Sequence, residues 1–155
     1  MSEKAKEKLN AAIKNLQIAD HLTYVTFPLV NEKRLIIKIF DEIFKSINNC
    51  IDAIIYHEYL YKKIEWYGEE KSNLDILISK CAGNYGLSNE QIRKIKDIIE
   101  TDKKHKNSAM EFVRRESIIL MSDGLGVKTL DIKIIKDYLL TAKELLMKVK
   151  IKINR

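Results

Sequence analysis

The feature that most constrains this fold is an uninterrupted heptad pattern of apolar residues between Arg34 and Ile64. Spacings of four and three residues alternate along it, and no proline or glycine breaks it. The pattern predicts one long helix of about 45 Å, at about 1.5 Å per residue, with an apolar edge turned toward a partner helix. The rest of the chain, or a second copy, must cover that edge as a core or dimer interface. The edge, called the seam below, consists of Ile36, Phe40, Ile43, Ile47, Cys50, Ile54, His57, Tyr61 and Ile64.

Apolar residues recur at helical spacing in most of the remaining chain, and the composition agrees with a helical protein. With 155 residues, one proline and five glycines, the chain suits a single domain of long regular elements over residues 1–155. Further helices are predicted from Ser2 to about Val25, from Ser72 or Asn73 to Tyr85, and from Ser88 to about Lys104. A last helix begins after the capping residue Asp131. The apolar segment Tyr24–Val30 is expected to pack against these helices.

The helical rhythm fails between Lys106 and Thr129, where β-favouring residues surround a turn. Ser117–Ser122 and Val127–Leu130 predict two strands, and the cluster Asp123–Gly126 predicts the turn between them. The predicted fold class is therefore mainly α, an up-and-down helical bundle of about five helices with a small β-hairpin before the last helix.

Several function classes find little support in the residues. His57-Glu58 begins like the zinc-protease motif His-Glu-x-x-His, but Tyr61 occupies the place of the second histidine. Cys50 and Cys81 both lie on predicted apolar faces, which is typical of buried structural thiols. We therefore predict no catalytic residue, no metal site and no cofactor. The charged N-terminus and the lack of a long apolar run predict a cytoplasmic protein with no membrane partner.

Positive charge is concentrated in the second half of the chain. Residues 1–70 hold 10 Lys/Arg and 11 Asp/Glu, whereas residues 71–155 hold 18 and 11. A group of basic residues in this second half could neutralise phosphates, with nearby aromatic rings stacking on bases. The same group could instead be a solvated helix end. The candidate nucleic-acid-binding residues are Lys103, Lys104, Lys106, Arg114 and Arg115.

Two segments resemble the HEPN group of small all-helical proteins. They are the first amphipathic helix, Lys6–His21, and the run Ile47–Tyr56 in the long helix. The resemblance covers about the first two thirds of the chain. It implies a four- or five-helix up-and-down bundle that is often a homodimer. Some members are metal-independent ribonucleases, and others are non-catalytic partners of nucleotidyltransferases.

The ribonuclease signature of that group is an arginine followed, after four to six residues, by a histidine. No arginine of this chain is followed by histidine at that distance, and the nearest imitation is Lys14 with His21. Lysine lacks the planar guanidinium that binds phosphate in a bidentate manner. The leading prediction is thus a non-enzymatic, HEPN-like interaction module that forms a homodimer. One alternative is an RNA- or DNA-binding protein using the basic half, and another is a ribonuclease using Lys14 and His21.

Overall fold

The computed structural model describes residues 3–60, 74–75, 77–122 and 126–154. Within these ranges the chain forms helices, π-helical turns and strands. In chain order they are α1 (Glu3–His21), a π-helical turn (Leu22–Thr26), α2 (Phe27–Val30), α3 (Leu35–Leu60), a second π-helical turn (Leu77–Cys81), α4 (Asn89–Lys106), β1 (Ser108–Arg114), β2 (Ser117–Ser122), β3 (Gly126–Leu130) and α5 (Ile132–Ile153).

Helix α3 is unbroken from Leu35 to Leu60 and runs antiparallel to α1. The buried Ser46 hydroxyl donates to the carbonyl oxygen of Ala12 at 2.9 Å. Further along α3, the Asp52 carboxylate lies 3.6 Å from Lys8 Nζ, closer to the start of α1. Because a later residue of α3 contacts an earlier residue of α1, the two helices point in opposite directions.

Helices α4 and α5 are also antiparallel, and α5 contacts both α1 and α3. Lys94 Nζ lies 3.1 Å from the Asp137 carboxylate, and Gln91 Nε2 donates to Glu144 at 2.9 Å. A capping box begins α4, as the Ser88 side chain accepts from the Gln91 backbone amide and the Gln91 side chain accepts from the Ser88 backbone amide.

Contacts at the two ends of α4 show its direction relative to α3. His105, near the end of α4, meets Asp41 near the start of α3 at 3.4 Å. Tyr85, just before α4, donates to the buried Glu58 near the end of α3 at 2.9 Å. The four long helices of the described part thus alternate in direction, as in an up-and-down bundle.

The seam of α3 packs inside its own chain. Of the described seam residues, six are at most 1% exposed and the seventh, His57, is 9% exposed. The six belong to one core cluster that also contains side chains of α1, α4, α5 and the sheet. Tyr61 and Ile64 lie outside the described residues. The buried seam residues are Ile36, Phe40, Ile43, Ile47, Cys50, Ile54 and His57.

The predicted number of about five helices is slightly too high for the described part of the chain, which contains four long helices. The start predicted for the third helix, at Ser72 or Asn73, lies outside the described residues. Its later part is the single π-helical turn that ends at Cys81, where the Ala82 amide donates to Leu77 at 2.7 Å. Gly86 then adopts a φ of +68°, a left-handed conformation that glycine tolerates and that ends the segment.

The region predicted as a hairpin is an antiparallel sheet of three strands in the order β1-β2-β3. Strands β2 and β3 match the two predicted strands, while β1 was not predicted. The charged Glu111 sits on the buried side of β1, which hides the alternation that reveals a half-buried strand. Residues 123–125 of the predicted turn lie outside the described part.

The expectation that Tyr24–Val30 packs against the bundle is mostly wrong. Phe27 is buried, but Leu29 is 81% exposed and Val30 is 59% exposed. The segment forms a π-helical turn followed by the four-residue α2 and connects α1 to α3. Only one side of this segment packs on the core. In the described ranges, none of the helices has both the length and the apolar character that a bilayer crossing requires.

Candidate nucleic-acid interface

The three candidate lysines lie at the C-terminal end of α4, where cations are favourable because of the helix dipole. Lys106 Nζ lies 2.9 Å from Asp102 and 4.9 Å from the centre of the Phe44 ring. Lys103 Nζ lies 3.6 Å from Glu100. Among the described residues, Lys104 has no carboxylate partner. Two of the three charges are thus already compensated within the chain.

His105 ties this helix end to the rest of the fold. Its Nε2 lies 3.4 Å from Asp41 of α3, and its Nδ1 contacts the Glu111 carboxylate of β1. The hydrogen bond to Asp41, with a further contribution from Glu111, outweighs partial burial and raises the pKa of His105 from 6.5 to about 9. The imidazole is therefore charged at neutral pH and joins α3, α4 and β1.

Arg114 is the last residue of β1 and Arg115 begins the turn to β2, at the other end of β1 from the α4 lysines. Both side chains are exposed, and Arg115 adopts a φ of +57° in the tight connection. Six residues of β1, Ser108–Val113, separate Arg114 from the end of α4, or about 20 Å at about 3.3 Å per residue. The five candidate residues therefore form two clusters.

A contact between distant segments places this turn beside the start of α3. Glu116 Oε2, in the turn, lies 2.7 Å from Lys33 Nζ. Lys33 itself is only 12% exposed, because it also lies over the Phe27 ring and donates to Asn31 at 2.6 Å. Its neighbour Arg34 is exposed. The structure thus adds Arg34 to the two predicted arginines.

We call Arg34, Arg114 and Arg115 the arginine tip. All three are exposed, and none of them forms an ion pair with any residue in the described ranges. The nearby Glu116 forms an ion pair with Lys33. The Glu32 carboxylate accepts a hydrogen bond from the backbone amide of Arg34 at 3.2 Å. Guanidinium groups without carboxylate partners are available for phosphate oxygens, which they bind in bidentate geometry. Sequence reasoning missed Arg34 because 80 positions separate it from Arg114 and no local pattern links them.

The outer face of the sheet continues from the arginine tip. Ile118, Leu120 and Leu130 point into the core, so the alternate positions of each strand face outward. Phe112 is one of these positions, half-buried and on the same face as Arg114, two residues later. The Cα atoms of Phe112 and Arg114 are therefore about 7 Å apart along one strand, with both side chains on the same face. The outward apolar side chains are Met110, Phe112, Ile119, Met121 and Val127.

Other predicted sites show no such convergence. Lys14 and His21 both lie exposed on α1. Cys50 and Cys81 are buried free thiols, and burial raises the pKa of Cys50 to about 12. Within the described residues, no three His, Cys, Asp or Glu side chains are grouped as metal ligands.

No protein-family model matches the chain, and a search of curated proteins finds none with a matching sequence. The function is therefore inferred from the surface of the chain itself.

Proposed function

We propose that the protein is a non-enzymatic binding module whose ligand is single-stranded nucleic acid, RNA or DNA, held by its phosphates at the arginine tip. The observation that carries the proposal is the Lys33–Glu116 contact, because it brings together the two distant segments that carry the three exposed arginines. Lys33 and Glu116 act here as positioning residues. Arg34, Arg114 and Arg115 make the phosphate contacts.

The outer sheet face supports a single-stranded ligand. Bases that are not paired or stacked can lie on an aromatic ring, and such stacking contributes about 1–3 kcal/mol per base. Phe112 offers one ring beside Arg114, so that a base and an adjoining phosphate can be bound together. Bases within a duplex are stacked on one another and cannot reach this ring. The α4 lysines, about 20 Å away, would extend the path of the strand.

Fluorescence anisotropy with labelled oligonucleotides of about 12 nucleotides tests the proposal. The test variant is Arg114→Glu/Arg115→Glu. The matched control is Lys4→Glu/Lys6→Glu, which changes the net charge equally at exposed positions near the start of α1. We expect the test variant to lose at least about tenfold in affinity, and the slope of log K against log salt to fall by about 1.4 for two lost phosphate contacts. The control should keep most of the affinity.

Three further arms sharpen the result. RNA and DNA of one sequence distinguish the two sources of phosphate, and a duplex of that sequence should bind less tightly than either strand. Phe112→Ala should weaken binding with little change in the salt slope, because stacking releases no counterions. Equal losses in the test variant and the control, or no binding by the unaltered protein at low salt, would refute the proposal.

The HEPN-like relationship and the homodimer remain proposals of their own. The alternating helix directions are compatible with the bundle that the resemblance implies. Because seven seam residues are enclosed by their own chain, a homodimer would have to use another surface than the seam. Light scattering over a range of concentrations tests the dimer, and a constant monomer mass would eliminate it.

A further inference from the structure

Strand β1 lies at one edge of the sheet, because within the described ranges it pairs with β2 alone. The turn between the two strands has two residues and is closed by the pair Arg114 and Ser117. In such a hairpin the closing residues share backbone hydrogen bonds, and bonded pairs then alternate with unbonded pairs along the strand. The backbone N–H and C=O groups of Glu111 and Val113 therefore point away from β2. No hydrogen bond joins these groups to another described residue.

The same part of β1 exposes apolar side chains on both of its faces. Met110, on the outer face, is 58% exposed. Val113 faces the helices and is still 38% exposed, whereas its partner Ile118 on β2 is fully buried. The helices therefore do not cover this end of β1. Unbonded backbone groups beside exposed apolar side chains are the usual template for a further strand.

The opposite edge of the sheet is better protected. Strand β3 has only five residues, and its central Lys128 lies with its ammonium 3.5 Å from Asp97. Short strands and lysine are devices that keep sheet edges from pairing. Strand β1 has seven residues, its Glu111 is turned inward onto His105, and its other charged residue, Arg114, is the last of the strand. The middle of β1 is therefore the edge that is more open to pairing.

The sequence of β1 permits antiparallel pairing with β1 of a second copy. Opposite residues must share a face, and bonding must use the free groups of Glu111 and Val113. Glu111 opposite itself would bring like charges together, which is unfavourable. Val113 opposite itself would place Glu111 against Arg115, whose φ of +57° is not extended. Glu111 opposite Val113 of the second copy avoids both problems and places the two Phe112 rings opposite each other, a favourable cross-strand pair.

We propose that two copies of the chain associate through the middle of β1, which joins their sheets into one continuous antiparallel sheet. Glu111 and Val113 of each copy exchange backbone hydrogen bonds with Val113 and Glu111 of the other, and the Phe112 rings meet at the two-fold axis. The inference rests on the homodimer proposed above and names its surface. It does not depend on nucleic-acid binding, because the outer sheet face stays open in the dimer.

Sedimentation of the protein alone over about 1–300 µM measures the dimer, since a short strand pairing suits a weak complex. Val113→Pro removes the N–H that would bond to the second copy, whereas the pairing of β1 with β2 does not use that group. We expect the dissociation constant of the dimer to rise at least about tenfold, because the bond is lost in both copies. Val113→Thr keeps the N–H and should dimerise like the unaltered protein.

Val127→Pro is the matched control at the opposite edge, where Val127 is 57% exposed on β3. It should leave the dissociation constant unchanged, and circular dichroism should show that each variant is folded. A monomer at every concentration would refute the homodimer itself. A dimer that persists unchanged in Val113→Pro, or one that is weakened equally by Val127→Pro, would overturn the assignment to β1 alone.

Cysteine cross-linking tests the register without a proline substitution. Phe112→Cys places two thiols opposite each other, with Cβ atoms about 4.5–5.5 Å apart, close to the separation found in disulfides. The natural Cys50 and Cys81 are buried, so the introduced thiol should be the one that reacts. We expect mild oxidation to yield a covalent dimer from Phe112→Cys and little from Val127→Cys. No covalent dimer from Phe112→Cys, or equal yields from both variants, would overturn the inference.

Discussion

His105 provides the strongest test of how the sheet is held on the helices. Its ring contacts Asp41 and Glu111, and its pKa rises from 6.5 in the unfolded chain to about 9 in the folded one. At about 1.4 kcal/mol per pKa unit, the full shift would be worth roughly 3 kcal/mol. Because the ring is 20% exposed and Asp41 is 37% exposed, solvent screening reduces this to roughly 1–2 kcal/mol.

The sign of the effect follows from the raised pKa. Charged His105 stabilises the fold fully below about pH 6.5, and this contribution disappears as the pH rises toward 9. We expect His105→Gln to lower the free energy of unfolding by roughly 1–2 kcal/mol at about pH 6 and by much less at about pH 9.5. Urea denaturation of the unaltered protein and of His105→Gln across this pH range measures the difference in their free energies of unfolding. The contributions of the other titrating groups are common to both proteins and cancel in this difference.

Glu111→Gln is the matched control, because it leaves Asp41 as the only carboxylate on His105. In Glu111→Gln, the folded pKa of His105 should lie closer to 6.5. The pH range over which His105 contributes to stability should therefore be narrower than in the unaltered protein. A stability difference between the unaltered protein and His105→Gln that stays constant from pH 6 to 9.5 would refute the reasoning.

Three further predictions concern the core and the absence of catalysis. Ile54→Ala removes a fully buried seam side chain and should cost about 2–5 kcal/mol in urea denaturation, whereas Ile18→Ala, at a 40% exposed position, should cost less than about 1 kcal/mol. Cys50 should resist alkylation at about pH 8 until the protein unfolds, because its thiol is buried with a pKa of about 12. Rapid alkylation of the folded protein, detected by mass spectrometry, would contradict this. Labelled RNA should stay intact on gels, and cleavage that depends on His21 would instead support the ribonuclease alternative.

Much of the bundle could be predicted because the seam repeats a strong local signal. Spacings of three and four residues identify which side of a helix is buried, whatever covers it, and Ile43 and Ile54 are accordingly at 0% exposure. The strand β1 could not be predicted, because Glu111 occupies a core-facing position. Its carboxylate is stabilised there by the charged His105, which is a partner from another element.

The candidate interface was predicted only in part. A run of charges shows that Arg114 and Arg115 are basic, but it cannot show which other segment lies beside them. The inclusion of Arg34, and the separation of the α4 lysines by the length of β1, depend on the Lys33–Glu116 and His105–Asp41 contacts.

Sequence alone determined the long α3 helix, its buried seam and the strands β2 and β3, because backbone periodicity and turn residues act over a few neighbouring positions. Only the tertiary structure decided that α3 is covered by its own chain, that Leu29 and Val30 face solvent, and that Lys33, next to Arg34, pairs with Glu116, next to Arg115. These outcomes depend on which distant side chains meet, and that is set by the packing of the whole bundle.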